Sequence, residues 1–368
     1  MKNNNFLRVI FSFVVWVMIA SFLSKFLVNM GISPVIAFVS LLAVTVLSVL
    51  YRTNSTGVVR NAVDAEIWVR EIIKRLWKNN AFLSRAFNED SYVLGGAVVH
   101  IINPGGAANV VKNRSVFPGV AARRTDTDVT YTLGDYSTDP IHIPDVELAT
   151  ITYDKTSSII QDLFGYLMQY VADDQLVNWM QAIPAVNIVP TTGPITAALE
   201  AGQAGNRLAM VWQNLRDAGR IMSKTNVSKN GRVALIEENM YQQLVDSLAA
   251  TQYKDFTRGF DEREGVLGRL FGFDIMTRSS VAMAAAGAGP LSVNAVGAAI
   301  GASDNVACIC YQEETVSRAL GTVEMYQRAK DPLYYGDIFS TRLRMGGRRR
   351  RGDDLGVVAI VQAPDAGV

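Results

Sequence analysis

Two apolar runs open the chain: residues 6–23, FLRVIFSFVVWVMIASFL, with Arg8 as the only charge, and residues 35–51, VIAFVSLLAVTVLSVLY, with none. As helices rising 1.5 Å per residue, each covers about 26 Å, close to the ~30 Å hydrocarbon thickness of a bilayer. Lys2, Arg8, Arg52 and Arg60 flank the pair on its outer sides, while the connection carries only Lys25. A membrane hairpin of this kind places both ends in the cytoplasm. Two other readings compete: a helical hairpin buried inside a protein assembly, and a cleaved secretory signal. No small-x-small cleavage site follows Leu23, and a second apolar run comes directly after, which tells against the signal.

Past RTNSTG the patterning turns mixed, which sets a boundary near Gly57. Residues 63–87 read as a helix without a clean stripe, an arm that packs on something else. Residues 92–147 read as extended ribbon, with YVLGGAVVHII running into a turn at NPGG, then AANVVKNRSVF, and later the alternation of VTYTL. So long a ribbon with few large apolar residues cannot bury enough surface alone and needs a neighbour. In residues 154–180 the period changes: Ile160, Leu163, Phe164, Leu167, Tyr170, Val171 and Val177 recur at three and four, predicting an amphipathic helix of about seven turns. A proline-containing connection over 182–205 leads to a helix around 206–222, a strand at 233–236, and a helix bearing Tyr241, Leu244, Val245 and Leu248. Glycine-punctuated strand follows at 263–280, NVACICY reads as a strand, and EETVSRALGTVEMYQ as a helix with Val316, Leu320, Val323 and Tyr326 on one side. The end alternates again, and no repeat of solenoid period is present.

Charge adds little, since 35 Lys and Arg nearly cancel 34 Asp and Glu for a net +1. Catalytic chemistry is scarce. Only His100 and His142 exist, too few and too far apart for a Ser/His/Asp set or an HExxH pair. His100 reads as a satisfied histidine in a sheet, and His142, between Ile141 and Ile143, as an exposed strand position. No glycine cluster carries a Walker lysine or opens a helix as GxGxxG. The neighbouring carboxylates Asp173 and Asp174, Glu237 and Glu238, and Asp353 and Asp354 diverge rather than converge. Cys308 and Cys310 point to one face of a strand as small buried hydrophobes. These features predict no enzyme, no cofactor and no metal site. One charge run stands out, Arg348, Arg349, Arg350 and Arg351, balanced at once by Asp353 and Asp354. It reads as a charged hairpin or salt-bridged subunit contact, or as a contact with nucleic-acid phosphates.

Taken in order, these parts resemble the major capsid proteins of tailed bacteriophages, the Hong Kong 97 fold, over residues 63–361. EIWVREIIKRLWKNNAF is similar to that family's N-terminal arm, YVLGGAVVHIINPGGAANVV through VTYTLGDYSTDPIHIPDVE to its extended loop, and YDKTSSIIQDLFGYLMQYVADDQLVNWM to its spine helix. GRVALIEENMYQQLV with GVLGRLFGFDIMTRSSV resembles its axial elements, and YGDIFSTRLRMGGRRRRGDDLGVVAIV the closing strand. The resemblance implies an α+β fold: an arm at 58–91, an extended β-hairpin loop at 92–150, a spine helix at 151–185, and axial and peripheral elements at 186–368. Residues 1–57 precede it as a hydrophobic helical hairpin, a membrane segment or assembly element, where the family usually carries a charged region that is cut away.

The resemblance further implies a major capsid protein, self-assembling as hexamers and pentamers into the icosahedral shell of a tailed double-stranded DNA bacteriophage. Its partners would be copies of itself, portal and scaffolding proteins, non-specific double-stranded DNA inside the shell, and a membrane through residues 6–51. Its place would be the virion, after assembly in the host cytoplasm or at the inner membrane. No motif identifies the lysine and asparagine of the covalent crosslink known in some members. The rival readings are a membrane-tethered bacterial protein with a soluble binding domain, and a nanocompartment shell around protein cargo.

Overall fold

The computed structural model describes residues 80–94, 98–103, 110–145, 155–261 and 265–365, apart from 116, 120, 122, 125, 286 and 288. Both apolar runs, with the membrane reading placed on them, and most of the arm lie outside the described residues. Among those described, no helix is long and apolar enough to cross a membrane.

The described chain enters through one helical turn, α1 (Ala81–Ser84), which buries Phe82 and Leu83. After β1 (Phe87–Asn88) it forms a three-stranded ribbon of β2 (Val93–Leu94), β3 (Val98–Asn103) and β4 (Thr127–Thr132). The strand returning beside β3 is β4, with His100 opposite Thr130, and residues 110–115 are turn and irregular backbone. The described part of AANVVKNRSVF, expected as extended ribbon, therefore does not pair as a strand. Lys112 and Asn113 form a turn there, with Asn113 in the left-handed region at φ 54°, and the alternating β-branched positions that suit a ladder sit later, in TDVTYT.

Two short strands follow, β5 (Gly134–Ser137) and β6 (Ile141–Pro144), and then the long helix α2 (Lys155–Met180). Leu163, Phe164, Leu167, Met168, Val171, Ala172, Leu176, Trp179 and Met180 are buried along one side, at the three- and four-residue spacing of a packed stripe. Tyr170, assigned to that stripe by spacing, is half exposed. Its ring lies edge-on to Tyr136 at 6.2 Å, at the margin of the buried face. The helix stops at Met180, Ala182 takes the left-handed conformation at φ 59°, and Pro184 excludes further helix.

The second half builds a mixed sheet. β7 (Ile188–Pro190) enters it, and β8 (Ile195–Ala197) and β9 (Asn206–Leu208) form a separate hairpin. Helix α3 (Trp212–Lys224) begins six residues later than the spacing suggests, because residues 206–208 pair as strand. The Asn214 side chain accepts from the backbone N–H of Val211, fixing the start. Next come β10 (Arg232–Glu237), α4 (Glu238–Asp246), α5 (Ala250–Thr257), β11 (Gly268–Leu270), β12 (Phe273–Arg278), β13 (Ala282–Ala284) and β14 (Asn305–Gln312). With the final strand β17 (Val357–Val361), the order is β11-β12-β10-β14-β17-β7, and β13 lies beside β14.

Every position of β10 and β14 is buried, which requires cover on both faces of the sheet. On one face Met222, Met240, Leu244 and Phe256 from the three helices meet Ala234, Ile275, Cys308, Cys310 and Val358. On the other, Tyr311 meets Trp179 of α2 with ring centroids 5.5 Å apart and donates its hydroxyl to the carbonyl of Phe82. Cys308 and Cys310 share the helix-covered core, as the spacing requires. Burial pushes the Cys308 thiol up to about 12 and the Cys310 thiol higher still.

β15 (Ser317–Asp331) and β16 (Gly336–Gly346) form a long antiparallel hairpin, flanked by β1 on one edge and by β5 and β6 on the other. Residues 317–326, expected as helix, are strand. A register shift between Leu320 and Val323 breaks the period of two and leaves apolar residues three apart, which imitates a helical stripe. At the tip Leu333, Tyr334 and Tyr335 are exposed, and the buried Asp331 carboxylate accepts from the Leu333 N–H at 2.8 Å to hold the turn.

Candidate functional site

The arginine run extends the β15–β16 pairing past Gly346: the Ser317 N–H donates to the Arg348 carbonyl, the Arg350 N–H to the Thr315 carbonyl, and Val316 bridges Arg349. Extended backbone sends successive side chains to opposite sides, and this alternation sorts the four guanidiniums. Arg348 and Arg350 point to the base of the ribbon. Arg348 donates to the Thr130 carbonyl at 3.2 Å, and Arg350 donates to Glu89 at 2.8 Å while its guanidinium lies 3.8 Å over the Phe87 ring. Arg349 points to the end of α2, where it donates to the carbonyls of Trp179 and Gln181 at 2.9 and 2.6 Å and to Asp354 at 2.5 Å. A cation on the last carbonyls of a helix satisfies orphan acceptors and suits the helix dipole. Arg351, half exposed, pairs with Asp353, whose carboxyl it holds below the ordinary range.

Glu89 is the second hub. It is 1% exposed and accepts from both Arg350 and the Tyr131 hydroxyl, the latter at 2.8 Å. Burial raises Tyr131 well above the ordinary phenol range, so it stays a neutral donor. Beside it, the Tyr136 hydroxyl donates to Asp174 of α2 at 2.5 Å and is likewise raised by burial. Between these groups lies an open cavity of about 600 Å³, lined by Tyr131, Tyr136, Asp174, Asn178, Arg348 and Arg349. Gly347 lets the loop lie this close: an added Cβ would strike the Ser317 carbonyl and come within 2.6 Å of Gln175 Oε1. The site therefore ties four parts of one chain together: arm, ribbon base, end of α2, and the arginine loop.

The contacts of this arrangement are ion pairs and hydrogen bonds within one chain. Among the described residues no group of three or more His, Cys, Asp or Glu side chains could hold a metal ion. The neighbouring carboxylates diverge as expected: Asp173 pairs with Arg278, Asp174 takes Tyr136 and Asn178, and Glu237 accepts the Met240 N–H to start α4 while Glu238 is exposed. His100 is exposed, its Nδ1 2.9 Å from Asp128. His142, expected at an exposed position, is half-buried, with its ring 5.6 Å from that of Tyr334, because the β15–β16 tip folds over β6. Sequence reasoning singled out the four arginines but missed Glu89, Tyr131 and Gly347. A lone carboxylate, a strand tyrosine and a second glycine carry no spacing signal.

No family model matches this chain, and no curated protein matches it significantly. Solved structures do. The capsid of Ralstonia phage GP4 is 12% identical with a TM-score of 0.54, over 77% of this chain and 88% of that one. The capsid structure of the cyanophage P-SCSP1u is 14% identical with a TM-score of 0.52, over 75% and 86%. The cyanophage Pam1 capsid asymmetric unit is 11% identical with a TM-score of 0.52, over 77% and 89%. At these identities the likeness is one of fold. The chain has an α+β fold with mixed sheets and a long helix, of the Hong Kong 97 type seen in phage capsid subunits.

Proposed function

We propose that this chain is a major capsid protein, a structural subunit that self-assembles into the icosahedral shell of a tailed double-stranded DNA bacteriophage as hexamers and pentamers. The observation that carries the reading is the agreement in fold with capsid subunits over three-quarters of the chain. Two further features support it. The ribbon exposes Ile102, Val110 and Phe117, and the β15–β16 tip exposes Leu333, Tyr334 and Tyr335. Large apolar side chains exposed on these two elements suit a subunit whose surface is completed by copies of itself. The junction of arm, ribbon, α2 and arginine loop then serves to fix the angle at which the ribbon leaves the body. In this proposal Arg348 to Arg351 shape the subunit and its contacts. Portal and scaffolding proteins and packaged DNA are its partners, residues 6–51 engage a membrane or the assembly itself, and the virion is its final location.

Electron microscopy of the expressed full-length chain, in both membrane and soluble fractions, tests this. Shells, curved sheets or capsomer rings are the expected result. A chain that stays monomeric at high concentration in both fractions overturns it.

A further inference from the structure

The outward face of α3 is cationic. Its inner face buries Leu215, Ala218, Gly219 and Met222, while Arg216, Arg220 and Lys224 are exposed at a spacing of four. Four residues of helix advance about 6 Å, so three positive groups line up over about 12 Å. The acidic group within ion-pair range of them, among the described residues, is Asp217, at 3.5 Å from Arg216 and 3.6 Å from Arg220. Lys229, just beyond the helix, is exposed as well. By contrast, three of the four members of the arginine run are held by carboxylates of their own chain.

The head of this stripe is built. The guanidinium of Arg216 lies 5.2 Å over the Trp212 ring, and Phe271 stacks on the same ring at 5.7 Å and 28°. Phe271 holds the left-handed conformation at φ 51° in the turn between β11 and β12, beside Gly272 at φ 83°. A bulky residue is disfavoured there, and its ring remains 40% exposed, so core burial does not account for it. Its structural effect is to back the tryptophan that orients Arg216.

We propose that Arg216, Arg220 and Lys224 on α3 form the surface by which this subunit contacts the phosphates of double-stranded DNA. The inference rests on the shell reading, which supplies the DNA. The partner's chemistry follows from the pattern: a straight row of three cations that share a single carboxylate suits a polyanion with one charge per ~1.7 Å of axis, and contacts to phosphate carry no sequence preference.

The test uses the full-length protein and a fluorescent 30-base-pair duplex of arbitrary sequence, with anisotropy measured between about 50 and 200 mM salt. Replacing all three residues by glutamine should flatten the slope of log K against log salt by about 2 to 3 and weaken binding at least about tenfold at the low-salt end. Arg348→Gln with Arg351→Gln should leave the slope nearly unchanged. Asp217→Asn, which removes the compensating carboxylate and needs no cation deleted, should tighten binding and steepen the slope. An unchanged slope in the triple variant, an equal loss in the arginine-run control, or no binding by the wild type at 50 mM salt overturns the proposal. Imaging in parallel separates the two readings. Shells without an effect on DNA binding sink this inference alone, and absence of shells from the wild type sinks the capsid reading. Shells lost only in the triple variant, with the DNA slope kept, assign the face to a second copy and overturn the DNA contact.

Discussion

Replacing Arg349 with methionine removes one guanidinium from the junction while keeping most of the side chain's volume. Its side chain is 12% exposed, its ion-pair partner Asp354 is 25% exposed, and two further bonds go to the carbonyls that end α2. Hydrogen bonds to a charged group contribute about 1.5–3 kcal/mol each, and breaking a largely buried pair costs about 3–5 kcal/mol. The contributions overlap and the site is partly wet, so a loss of about 3 kcal/mol is expected. Arg351, two residues on, has only an exposed partner, at 50% and 47% exposure, and such pairs contribute about 0–1 kcal/mol. Two arginines of one run should therefore differ by at least about 2 kcal/mol. Urea unfolding of dissociated subunits, followed by tryptophan fluorescence, measures this. At a slope near 3 kcal/mol/M the midpoint falls by about 1 M for Arg349→Met and by less than about 0.3 M for Arg351→Met, with unchanged slopes. In a cycle with Asp354→Asn, a coupling of about 1–2 kcal/mol is expected. Equal midpoint shifts for the two variants, or zero coupling to Asp354, would refute the assignment of the run to an internal tie.

Other expectations follow from the same structure. Glu89→Gln leaves Arg350 without its buried counter-charge and should cost about 3 kcal/mol in the same assay. Trp179→Ala empties the site shared by Phe82 and Tyr311 and should cost about 3–5 kcal/mol, whereas Trp179→Phe, which loses the bond to the Ser317 carbonyl, should cost about 1–2 kcal/mol. Cys308 and Cys310 should resist a thiol reagent at pH 8 in native protein and react fully in denaturant. Because the folded state raises the Cys308 thiol from 9.0 to about 12, its contribution to stability is complete below about pH 9 and is lost as pH rises from there towards 12. Replacing Leu333 and Tyr335 together by serine should leave the unfolding free energy of the subunit within about 0.5 kcal/mol of wild type while abolishing shells in micrographs.

The pattern of apolar residues determined the elements whose burial is one-sided or complete. The α2 stripe from Leu163 to Met180 and the fully buried strand around Cys308 and Cys310 were legible because their periodicity is imposed by the core they face. The residues of β15 were misread as helix because a bulge, which depends on the partner strand, altered the spacing. Which segment pairs with β3 was not legible for a related reason, since strand pairing is a choice between distant segments and leaves little local trace.

At the junction, composition alone announced four arginines and two aspartates. Tertiary structure decided which arginine meets a helix end, which meets Glu89 across 261 residues of sequence, and which stays in solvent. Local sequence determines periodicity and charge, because both arise from residues near in the chain. The partner of a charge, and hence whether it is an internal tie or a free surface cation, depends on which distant backbone the fold brings within about 3 Å, and only the assembled structure specifies that.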